Sequence, residues 1–176
     1  GTSTNSNTAT DGGAIYSLSA SVSVSDSSFV ADSASNNGGS VFTNSTFSLT
    51  NSNFTSSHAG NQGGALYLVA GLQTFSSNNF QSNTATVNGG AIFSESGSIP
   101  STNNVYQSNI ASNDGGAIFK ANGTLVSSND QFANNQATTG NGGALFDQSG
   151  TSSLTDTTFT NNNAGPNGGA AYFDTT

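Results

Sequence analysis

Seven Gly-Gly pairs recur along this chain, beginning at Gly12, Gly38, Gly63, Gly89, Gly115, Gly142 and Gly168, at spacings of 26, 25, 26, 26, 27 and 26 residues. A fixed period of this length means that one supersecondary unit is copied, and that each copy buries its apolar face only by stacking on its neighbours. After each pair come a small, an aliphatic and an aromatic residue: Ala14-Ile15-Tyr16, Ala65-Leu66-Tyr67, Ala91-Ile92-Phe93, Ala117-Ile118-Phe119 and Ala144-Leu145-Phe146. Ser40-Val41-Phe42 and Ala170-Ala171-Tyr172 are variants of the same triplet.

A second aromatic column follows each of the first six pairs by 16 or 17 residues: Phe29, Phe54, Phe80, Tyr106, Phe132 and Phe159. Three residues later stand Asp32, Ser57, Asn83, Asn109, Asn135 and Asn162, and two beyond those always alanine (Ala34, Ala59, Ala85, Ala111, Ala137, Ala164). Thirteen of the sixteen aromatics fall in these two columns, so their placement is ordered by the repeat. Ser, Thr and Asn make up 78 of 176 residues, a composition that by itself reads as disorder. The registered aromatics overrule that reading.

Between the columns, Val22-Ser23-Val24, Phe47-Ser48-Leu49 and Thr124-Leu125-Val126 alternate with a period near two, and no stretch carries a capped helical pattern. About three short strands per repeat are expected, separated by Gly, Asn and Ser turns. Antiparallel hairpins are favoured locally by pairs such as Asn88-Gly89, but hairpins do not need like residues at like register. A coil that lays each turn on the last, roughly 4.8 Å away, does need it. The expected fold is therefore all-β: a right-handed parallel β-helix of about seven turns of about 26 residues, spanning residues 1–176 as one repeat domain. Phe29, Phe54, Phe80, Tyr106, Phe132 and Phe159 would stack, and Asn83, Asn109, Asn135 and Asn162 would form an amide ladder at a corner, where Asn tolerates left-handed backbone. Gly-Gly marks another corner.

The paired motifs resemble the repeats of chlamydial polymorphic outer-membrane proteins. Gly-Gly-Ala-Ile/Leu matches at five of seven copies, and Phe-x-x-Asn matches fully at residues 80–83, 132–135 and 159–162. Tyr106–Asn109 departs by Tyr for Phe, while Phe29 and Phe54 lack the Asn. The resemblance implies a secreted passenger that projects from a cell surface, often as an adhesin, with an extracellular or cell-surface location. None of these 176 residues reads as an autotransporter barrel.

Charge narrows the function classes. The net charge is −8 with a single basic residue, Lys120, which argues against phosphate-neutralising contact with nucleic acid or a polybasic membrane patch. No apolar run approaches the length of a membrane-spanning helix, so direct membrane insertion is not expected. Cysteine is absent and His58 is the only histidine, so neither a metal site nor a cofactor is expected. Asp11 and Asp114, before Gly-Gly, read as replacements for Asn in a turn. Thr-x-Thr pairs such as Thr84/Thr86 do not recur at one register, which weighs against an ice-binding face.

Some parallel β-helices cleave polysaccharides, and that chemistry needs clustered carboxylates. Asp130 and Asp156 differ by one in their offset from the aromatic, which points them to opposite faces. The sharpest cluster is Glu95, Lys120 and Asp147, read as an exposed ion-pair trio worth under about 1 kcal/mol per pair. No catalytic residue is assigned, and the chain is read as a non-enzyme. Asn44, Asn53 and Asn122 stand in Asn-x-Ser/Thr sequons, as acceptors for N-glycosylation.

Neither end carries a charged or helical cap. The expectation is either a segment of a longer helix or units that stack head to tail on copies of themselves, building an open filament or surface stalk. An adhesin passenger that binds a surface or host ligand is the alternative, and a polysaccharide-active enzyme a distant third.

Overall fold

The computed structural model describes residues 6–174. Among these there is no helix, and hence none long and apolar enough to cross a membrane. The chain coils into a parallel β-solenoid with four faces. Sheet A stacks seven two-residue strands from Thr8–Ala9 to Asn163–Ala164, and sheet B seven strands from Ile15–Ser17 to Ala171–Phe173. Sheet C stacks six strands from Val22–Ser25 to Thr151–Thr155, and sheet D six from Ser28–Val30 to Thr158–Thr160. Six turns are thus built through all four faces.

Every pairing is parallel and joins equivalent positions of successive repeats. Phe54 lies beside Phe80, Phe80 beside Tyr106, Leu66 beside Ile92, and Ala85 beside Ala111. The expectation of three strands per repeat is corrected to four. The missed one is the Ala-column strand of sheet A, whose two residues are too few to display a period.

Strand alternation sorts the columns. In sheet B the aliphatic residue (Val41, Leu66, Ile92, Ile118, Leu145) points into the solenoid and is fully buried. Its aromatic neighbour points the other way and joins a separate cluster. Within that outer stack, Tyr67, Phe93, Phe119 and Phe146 are only 5–7% exposed, because each ring is covered by the rings above and below. Their centroids lie 5.0 Å apart, with interplanar angles of 5–13°. The inner column from Phe29 to Phe159 stacks at 4.5–5.2 Å, sharing the interior with Phe47, Leu49, Phe75, Ile99 and Leu125. Such offset pairs contribute roughly 0.5–1.5 kcal/mol each beyond their area burial.

The corners explain the polar repeat. At the corner after the inner aromatic, the residue with left-handed backbone is Ala31, Ser56, Ser82, Ser108, Asn134 or Asn161. The ladder residue follows it. The expectation that the ladder Asn itself takes the left-handed angle is therefore corrected by one position. The corner before the aromatic is built the same way, with Asp26, Asn51, Ser77, Asn103, Asn129 and Asp156 left-handed.

The two glycines of each pair are required for different reasons. Gly89 has φ +66°, whereas a Cβ on Gly90 would lie 2.1 Å from the Gly116 carbonyl oxygen of the next turn. A further glycine column, Gly71, Gly97, Gly123 and Gly150, turns the chain from sheet B to sheet C with φ of +93° to +104°. Its spacing of 26, 26 and 27 is plain in the sequence.

Candidate functional site

The polar groups that carry chemistry lie in three settings: ladders through the corners, two charged nodes inside the coil, and the outer faces.

The Asn ladder is enclosed in the solenoid. Asn83, Asn109 and Asn135 are fully buried. Each Oδ1 accepts the backbone N–H of the ladder residue one turn earlier: Asn83 N donates to Asn109 Oδ1 at 3.0 Å and Asn109 N to Asn135 Oδ1 at 3.0 Å. Each Nδ2 donates to the carbonyl of the aromatic one turn earlier (Phe54, Phe80, Tyr106 and, from Asn162, Phe132) at 2.9–3.0 Å. It also donates to the next amide in the column. The buried side-chain amides of Asn83, Asn109 and Asn135 are thereby satisfied, as burial demands, while Oδ2 of Asp32 in the first turn of the column has no partner. A second ladder, Ser52–Asn78–Asn104–Asp130, runs through the corner before the inner aromatic with the same backbone N–H to side-chain oxygen contact. Its signal in the sequence is Asn78, Asn104 and Asp130 at intervals of 26, which the aromatic columns overshadow.

Asp130 is one interior node, with no exposed surface. Its Oδ1 accepts from Asn104 N at 2.7 Å and Asn104 Nδ2 at 3.1 Å, and its Oδ2 from Ser101 Oγ and Ser127 Oγ, both at 2.6 Å. Four donors replace the water that a buried carboxylate would lose. The Tyr106 hydroxyl lies 3.3 Å from Ser101 Oγ. Burial, and then the Asp130 charge, hold its phenol protonated far above the ordinary tyrosine range. Asp156, by contrast, is exposed at a left-handed corner position.

Lys120 is the other node, and here the sequence expectation is corrected. Lys120 is not on the surface: its side chain is fully buried and its Nζ lies 2.6 Å from Asp147 Oδ1. The remaining ammonium protons go to the carbonyls of Ser149 at 2.5 Å and Gly123 at 3.2 Å, while Ser152 Oγ donates to Asp147 Oδ2 at 2.6 Å. The third residue of sheet B points inward, as Leu68 does in the same column. The register partner of Lys120 is Ser94, so Glu95 falls one residue beyond and turns outward. There it accepts the hydroxyl proton of Tyr67. Burial, and then this bond to Glu95, push the Tyr67 phenol well above its usual range. The trio is thus a buried pair and a separate surface carboxylate.

On the outside, a third set of amide contacts runs before the Gly-Gly corner. Asp11 Oδ1 accepts from Asn36 Nδ2 and Asn37 N, and Asp114 Oδ1 accepts from Asn141 N at 2.7 Å. Both carboxylates stand where other turns place Asn. His58 is exposed and its Nδ1 lies 2.9 Å from Thr84 Oγ1. Asn44, Asn53 and Asn122 are exposed. Sheet C presents outward a column of hydroxyls, Ser25, Thr50, Ser76, Thr102, Ser128 and Thr155. Among the described residues no cleft opens and no three acidic or histidine side chains converge as a metal cluster.

Two stretches, residues 79–95 and 156–174, match the family model described as the Chlamydia polymorphic membrane protein repeat. Each match spans one Phe-x-x-Asn and the Gly-Gly that follows it, so the inner ring, the ladder amide and the glycine corner are the elements held in common. Together they cover about a fifth of the chain. No curated protein and no solved structure matches it.

Proposed function

We propose that this chain is an extracellular, non-enzymatic β-solenoid that serves as a structural element of a cell surface, its turns stacking end to end into a stalk or filament. The repeat match supports a surface-exposed, autotransporter-like β-helical protein. The observation that carries the structural role is the unbroken parallel, in-register stacking of like residues from turn to turn, which presents apolar rings and sheet edges along the stack axis. At one end Ile15, Val22 and Phe29 are only partly buried, and Tyr16 is 54% exposed. At the other, Leu154, Phe159, Ala171 and Tyr172 are partly buried and Phe173 is 47% exposed. Equivalent positions inside the coil, such as Val41, Phe47, Phe54 and Phe93, are buried beneath the next turn. In this reading, open sheet edges and rings of this kind are the surfaces on which a second copy stacks.

The carboxylates favour a scaffold over catalysis. Asp130 is sealed in the interior and Asp147 is committed to Lys120, which leaves neither free to exchange protons with a substrate. Glycans on Asn44, Asn53 and Asn122 fit this reading, since all three project into solvent. The second reading is an adhesin passenger, favoured by the long uncharged faces of sheets C and D, which offer hydroxyls and amides to a surface or host ligand.

Negative-stain electron microscopy of the native material, beside the purified 176-residue chain, separates the two. Long thin fibres formed by the purified chain are the expected result. Short rods that never join, at any concentration, would overturn end-to-end assembly and favour the adhesin.

A further inference from the structure

Five Asn-Gly dipeptides occur in the chain: at Asn37, Asn88, Asn122, Asn141 and Asn167. In this dipeptide the glycine nitrogen can attack the asparagine side chain unhindered by a Cβ, provided that the nitrogen is not held elsewhere. The solenoid treats the five differently. At Gly38, Gly89 and Gly142 the N–H donates to a carbonyl of the next turn (Gln62, Asp114 and Asn167), each at 3.0 Å. Asn167 lies in the last described turn. Asn122 sits in the loop between sheets B and C and is exposed. There the Gly123 N–H donates to Asn122 Oδ1 itself, at 2.6 Å. The nucleophilic nitrogen is thereby held beside the side-chain amide it would attack.

We propose that Asn122 is a site of spontaneous deamidation in the folded protein, with water as the only co-reactant. The Gly123 nitrogen, on losing its proton, bonds to Asn122 Cγ. The Cγ–Nδ2 bond breaks and the amide nitrogen leaves as ammonia, giving a five-membered succinimide. Water then opens either imide bond, leaving an aspartyl or an isoaspartyl linkage at position 122. The isoaspartyl product carries one more methylene in the main chain, immediately before the Gly123 carbonyl that caps the buried Lys120 ammonium. The reaction therefore places a new negative charge on the loop and shifts one of the three acceptors of the interior cation. It also removes the amide that the Asn122 sequon would present to a glycan, so the two modifications exclude each other.

The test is peptide mapping by mass spectrometry of the folded chain aged at mildly alkaline pH, with a parallel sample unfolded in guanidinium. Asn122 is expected to gain about 1 Da and isoaspartate at least roughly tenfold faster than Asn37, Asn88 and Asn141, whose glycine nitrogens react only after local opening. In guanidinium the four rates should converge. Equal rates in the folded chain, or an Asn122 rate no higher than the other three, would overturn the proposal.

Discussion

Lys120→Ala is expected to destabilise the turns around it by about 3–5 kcal/mol, because it leaves the Asp147 carboxylate inside the solenoid without its cation. Alanine also vacates the space of a fully buried side chain and takes the ammonium from the Ser149 carbonyl, whereas the Gly123 carbonyl keeps the Thr151 N–H. The double variant Lys120→Met/Asp147→Leu should behave otherwise. Removing both charges together is commonly neutral, or stabilising by about 1–4 kcal/mol, when apolar groups of similar volume take their place. Leucine already stands in this column, at Leu68. Urea unfolding of the three proteins measures the difference. A single variant as stable as the parent would mean that the ammonium reaches water. In a solenoid the loss is local, so amide exchange should rise first in the strands Ile118–Lys120 and Leu145–Asp147.

The second large effect is expected at the ladder. Asn109→Ala removes the acceptor for Asn83 N and the donor to Phe80 O, two backbone groups buried at a bend with no route to solvent. An orphaned buried group costs about 1–3 kcal/mol, so the variant should lose about 2–6 kcal/mol. Thr74→Ala, on the exposed face of sheet C, is the control and should change stability by less than about 0.5 kcal/mol. Denaturant unfolding of both variants settles whether the column is a structural spine. Comparable, small losses would mean that the backbone pairing alone holds the turns.

Much of this architecture was legible in the sequence, for a physical reason. In a coil of stacked turns each residue sits on its own equivalent, so register in space is printed as period in the chain. That is why the Phe-to-Asn and Gly-Gly-to-aromatic spacings located the parallel stacking. Orientation was less legible. One residue of offset decides whether a side chain faces the core or solvent, and Glu95 and Lys120 differ by that one residue. The single cation of an acidic chain invites an exposed reading, and only strand parity shows it pointing inward beside Asp147.

The faces were undercounted for a similar reason. Sheet A contributes two residues per turn, such as Thr84–Ala85, and a pair cannot reveal alternation. The second ladder was hidden because its column mixes Ser, Asn and Asp, three residue types that make the same contact with the preceding turn's N–H. The outer aromatic stack also escaped expectation, since a ring in a repeat is ordinarily assigned to the core. Here Phe on Phe shields itself.

The central claim is that successive repeats lie one above another along a single axis. Pulsed electron spin resonance on doubly labelled chains tests it most directly, and the absence of native cysteine makes the labelling clean. With cysteines replacing Thr50 and Thr155, four turns apart on sheet C, the backbones should be separated by roughly 19 Å. Moving the first label to Ser25, one turn further, should add roughly 4.8 Å. Distances that fail to grow with the number of turns between the labels would contradict the solenoid and favour antiparallel hairpins.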